Sequence, residues 1–142
     1  MKIKSAIILM SMLIIVLIGV DKGIVQGSYP YNYGVAFMCD GEVDYTPTVT
    51  KNTNSYVGMV CQSSEKSDAY YIAKVYAVGS NDSRYDASHG NRYTFYEGTS
   101  NYYMKNWVNE NGYNRACIQT VGYNIEEPYG TVFSGVWYPD QN

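Results

Sequence analysis

The sequence predicts an all-β protein: a single antiparallel β-sandwich of about seven short strands, following an N-terminal signal peptide. Three observations carry this. Apolar and polar residues alternate over short runs, the period of a half-buried strand. Gly, Asn, Asp and Pro break the chain between those runs. No segment sustains the 3.6-residue period of an amphipathic helix. At 142 residues the chain has room for one ordinary domain.

The first residues differ in kind from the rest. Lys2 and Lys4 precede fifteen uncharged positions, Ala6 to Val20. A bilayer-spanning helix needs about twenty apolar residues, so this run reads as the apolar region of a signal peptide. Val25-Gln26-Gly27 offers a cleavage site, and the expected division is a signal peptide at 1–27 and a β-sandwich domain at 28–142. The expected destination is secretion.

The elements follow in order. Tyr31 to Cys39 alternates, with Tyr33, Val35, Phe37 and Cys39 on one side. Val43 to Thr50 is weaker, and Pro47 confines it to an edge or a loop. Ser55 to Cys61 places Val57, Met59 and Cys61 on one face. Ala69 to Val78 is the best-formed strand: Tyr71, Ala73, Val75 and Ala77 face one way, and Tyr70, Ile72, Lys74 and Tyr76 the other. Lys74 fixes the orientation, because an unpaired buried ammonium is very costly. Gly79 to Asn91 reads as a polar loop and Arg92 to Tyr96 as a short strand. Tyr102 to Val108 and Arg115 to Val121 read as two strands joined by an Asn111-Gly112 hairpin. Thr131 to Tyr138 is the last strand, with Phe133, Gly135 and Trp137 on one face and Pro139-Asp140 ending it. The expected inner face comprises Tyr33, Val35, Phe37, Val57, Met59, Tyr71, Val75, Phe95, Phe133 and Trp137.

Charge and composition narrow the function classes. After residue 27 seven Lys/Arg face twelve Asp/Glu, a net charge of −5. Such a surface gains nothing from counterion release on a polyanion, so nucleic acid is not an expected partner. One histidine excludes a multi-histidine metal site. Cys39, Cys61 and Cys117 form no CxxC motif. Export permits a disulfide, and Cys39 with Cys61 is the candidate pair, both facing inward at strand ends; Cys117 alternates onto the outer face.

Three groupings invite chemistry. His89 follows Asp86 by three residues, but no strained nucleophile turn accompanies them, and the pair reads as a solvated loop. Asp40, Glu42 and Asp44, and separately Asn81, Asp82 and Asp86, read as hydrated acidic turns rather than calcium loops. The seventeen tyrosines, with asparagine and tryptophan, suit a sugar-stacking sheet face and equally a half-wet structural one. No catalytic residue, metal or cofactor is expected.

The C-terminal residues Ser134-Gly135-Val136-Trp137-Tyr138-Pro139-Asp140 resemble the G-x-W-x-P-D terminus of a group of small exported Gram-positive proteins known only as a domain of unknown function. Tyr71 to Gly79 and Asn111 to Ile118 add to that likeness, which covers about half of the mature chain. The resemblance implies a signal peptide, a small β domain and no assigned activity. The expected function is therefore that of a small secreted non-enzymatic protein, acting by surface recognition at or outside the bacterial envelope. Its expected partner is a cell-wall polysaccharide or a surface protein, with membrane contact only through the signal segment. The alternative is a bacteriocin-like secreted antagonist exported by a dedicated transporter. A third reading, of another class, is a small hydrolase using His89 and Asp86.

Overall fold

The computed structural model describes residues 29–141; the expected signal peptide and cleavage site lie outside them. Ten strands form: β1 (Tyr31–Phe37), β2 (Val43–Tyr45), β3 (Val49–Thr50), β4 (Tyr56–Ser64), β5 (Tyr70–Val78), β6 (Arg84–Asp86), β7 (Tyr93–Phe95), β8 (Ser100–Met104), β9 (Arg115–Tyr123) and β10 (Thr131–Gln141). There is no helix among the described residues, and every strand pairing is antiparallel.

One sheet runs β1-β10-β4-β8. The other runs β2-β9-β5-β6, with β3 also on β9 and β7 also on β5. Alternation within each strand turns one side of each sheet inward, and the two inner sides form one core. All ten residues expected on the inner face are buried. Tyr71 of β5 joins the sheets. Its ring stacks on Phe95 at 5.4 Å and meets Phe133 edge-on at 5.1 Å, and its hydroxyl lies 2.6 Å from that of Tyr33. Burial drives both phenols far above their ordinary value of 10.0. Lys74 points outward as expected and pairs with Asp86 at 3.2 Å.

The structure departs from the expected elements in four places. The 79–91 loop contains β6, which pairs with the end of β5. The 43–50 run splits into β2 and β3 around Thr46-Pro47, both on β9. β10 continues through Pro139-Asp140 to Gln141, with its register broken between Tyr138 and Gln141, where proline offers no ladder donor.

The fourth departure is the largest. The Asn111-Gly112 hairpin does not form. β8 pairs with β4 in one sheet, while β9 pairs with β5 in the other. The dipeptide still makes a turn: Gly112 has φ +86° and donates to the Asn109 carbonyl. However, the chain leaves the sheet after Met104, and the buried Val108 anchors the crossing in the core. Burying Val108 between the sheets outweighs the local hairpin preference.

Candidate functional site

One end of the sandwich gathers three connections, β3 to β4, β5 to β6 and β8 to β9, together with the last residues of β10. The pairings fix this, since Gln141 lies opposite Tyr56, Met104 opposite Val57, Ala116 opposite Ala77 and Arg84 opposite Val78.

The foundation of this end is Lys51, whose side chain is fully buried. Its ammonium donates to the carbonyls of Ser55 at 2.8 Å and Pro139 at 2.7 Å, and lies 3.3 Å from Asp140 Oδ1. Asp140 also accepts from the backbone N–H groups of Asn52 and Thr53 and from the Thr53 hydroxyl. Burial lowers the Lys51 pKa, and Asp140 opposes that shift. Burial pushes Asp140 up, but its backbone and hydroxyl donors and Lys51 outweigh it and hold the carboxyl below its usual range. The 51–56 connection is thereby tied to the final strand.

A cleft of about 360 Å³ opens above this foundation, between the 51–56 and 105–110 segments. Asn54, Tyr56, Lys105, Asn106, Trp107 and Glu110 line it. Its size falls within the range of small-molecule sites. The Trp107 ring lies flat against His89, with centroids 3.9 Å apart and planes within 3°. The Asn106 amide donates to the Ser55 carbonyl at 3.0 Å, and that of Asn109 to the carbonyls of Lys51 and Tyr113. The oxygens of both amides, and that of Gln141, are buried and have no hydrogen-bond partner among the described residues.

The groupings singled out in the sequence fall elsewhere or are already engaged. His89 is exposed on Trp107, while the Asp86 carboxylate accepts from the Ser88 N–H and hydroxyl and pairs with Lys74. No hydrogen bond joins His89 to Asp86 among the described residues. The acidic run caps backbone: Asp40 accepts from the Ile125 N–H, Glu42 from that of Met38, and Asp44 from those of Ala36 and Tyr45. Asp82 holds Arg115 at 2.8 Å. The tyrosines of the outer sheet face stack on one another. Tyr70 lies 5.1 Å from Tyr96 and 5.4 Å from Tyr123, Tyr76 meets Tyr45 edge-on, and Arg84 covers Tyr45.

Cys39 and Cys61 do not come together. Both β1 and β4 are antiparallel to β10, so they run the same way. However, β4 extends to Ser64, which places Cys61 mid-strand, level with Gly135 and Tyr33. Phe37 at the end of β1 is already about 13 Å along from that level. Cys39 is exposed and Cys61 buried, both as free thiols. Cys117 is on the outer face but buried. Burial raises its pKa, against the opposing effect of Arg84.

Sequence reasoning missed Trp107, Asn106 and Lys51. The density of asparagine from Asn106 to Asn114 is the signal that could have marked a structured connection rather than a strand. Nothing in the residues around Lys51 announces its burial, which depends on Asp140, 89 residues away.

The fold and site define a class: a small two-sheet antiparallel sandwich with an aromatic and amide-lined cleft among the loops at one end. The chain belongs to the family described as protein of unknown function (DUF2712), which matches residues 26–141. The match takes in the N-terminal strands with Cys39 and Cys61 as well as the C-terminal half where the resemblance was legible. Neither the curated proteins nor the solved structures gave a match.

Proposed function

We propose that this is an exported, non-enzymatic recognition protein of a Gram-positive bacterium, which binds cell-wall polysaccharide through the cleft between residues 54–56 and 105–110. The observation that carries the reading is the cleft itself: the Trp107 and Tyr56 rings line it beside the exposed Asn54 amide. Apolar sugar faces pack on aromatic rings while their hydroxyls meet amides, and a few placed polar groups fix orientation. Export is supported by the apolar run at 6–20 that follows Lys2 and Lys4. The engagement of Asp86 by Ser88 and Lys74 leaves it poorly placed to assist His89.

Co-sedimentation of the 28–142 protein with purified cell-wall sacculi tests this. The protein should pellet with the sacculi, and Trp107→Ala and Tyr56→Ala should each reduce the bound fraction while leaving the circular dichroism spectrum unchanged. Binding unaffected by both substitutions, or no binding at all, overturns the reading.

A further inference from the structure

We infer that the ligand is an extended, uncharged polysaccharide spanning two adjoining clefts, rather than a single sugar unit. This rests on the glycan-recognition reading above and names its substrate class. The second cleft, about 530 Å³, lies between the 78–85 and 112–115 segments. Tyr85 and Tyr113 form its aromatic wall, stacked at 5.3 Å and 27°, and Tyr85 is 45% exposed. Ser80, Asn81 and Asn114 supply polar groups beside it. Each cleft thus combines ring surface with amides.

The two clefts share one connection. Glu110 lines the first and Gly112 the second. Two residues of chain span at most about 7 Å, so the rims adjoin. Beneath the shared connection, the Asn109 amide ties the Lys51 and Tyr113 carbonyls together. The exposed amides of Asn54 in the first cleft and of Asn81 and Asn114 in the second suit a ligand rich in hydroxyl or amide groups, as a polyol or an N-acetylated sugar is.

Charge sets the class further. Lys105 and Glu110 both line the first cleft, and their formal charges cancel. In the second, Arg115 is tied to the Gly79 carbonyl and Asp82. Neither cleft therefore presents net charge to a polyphosphate, and the net charge of −5 after residue 27 repels one.

Calorimetric titration with N-acetylglucosamine oligomers, from the monomer through the hexamer, tests the inference. Affinity should climb with length by more than about tenfold as the second cleft fills. Tyr85→Ala and Asn81→Ala should remove the climb yet preserve binding of the short oligomers, whereas Trp107→Ala should weaken every length. Affinity independent of length, with Trp107 still required, overturns the spanning inference and leaves the glycan reading standing. Failure of every oligomer and of intact sacculi overturns both. Tighter binding of a glycerol-phosphate polymer than of the hexamer overturns the uncharged class.

Discussion

Lys51 and Asp140 carry more of the architecture than any other pair of charged residues described here. Removing one partner of a buried ion pair strands the other in low dielectric. Lys51→Met should therefore lower stability by about 3–5 kcal/mol in denaturant unfolding. Asp140 also sets an acid limit. Its pKa in the folded protein lies below the ordinary 3.8, so it adds stability above that value and withdraws it as pH falls through the folded value. Asp140→Asn should flatten the pH dependence of stability below about pH 4, read by urea unfolding across pH. Thiol chemistry offers an independent check at this scale. Cys39 is exposed, Cys61 and Cys117 are buried, and burial raises the pKa of both buried thiols. One thiol should react in the native protein and all three after denaturation. A count of one in the denatured, non-reduced protein would mean a disulfide.

The residues of β10 each answer to a packing demand. A side chain at Gly135 would place its Cβ 1.9 Å from the Val60 carbonyl. The space is needed because the Tyr33 hydroxyl reaches that carbonyl at 3.1 Å. Trp137 fills the core, the Pro139 carbonyl receives Lys51, and Asp140 completes the pair. Gly135→Ala should cost more than about 3 kcal/mol, at the upper end of overpacking losses, read as a drop in Tm. Trp137→Ala should cost about 3–5 kcal/mol. The outer edge of β1 is guarded differently. Asp44 and Glu42 occupy the N–H groups of Ala36 and Met38, which would otherwise invite pairing with another chain. Asp44→Ala should leave the monomer nearly as stable but raise its tendency to associate, seen as added light scattering on concentration. The strand interiors were legible because each has a period of two and an unambiguous side. The Asn111-Gly112 hairpin was misread because its local turn chemistry is real, while the choice of partner strand is made by long-range packing.

At the scale of the whole molecule, the sandwich was legible and the site was not. Alternation reveals which residues face inward, so the core assembled by Tyr71, Phe95, Phe133 and Trp137 could be read from single strands. A cleft is a relation between connections remote in sequence. Asn54 and Trp107 adjoin only because β4 and β8 are neighbours, and no short motif records that. The tyrosine-rich sheet face misleads for the same reason: Tyr70 satisfies its ring surface on Tyr96 and Tyr123, leaving less of it for a partner than the sequence suggests.

The position of β10 bears on when the protein can fold. Residues 131–141 lie between β1 and β4, so the earliest strand of the domain waits for one of the latest, with Tyr31 opposite Trp137. Pairings of that sequence separation make folding slow. On the export route proposed above, the first sheet stays open until β10 has emerged from the channel.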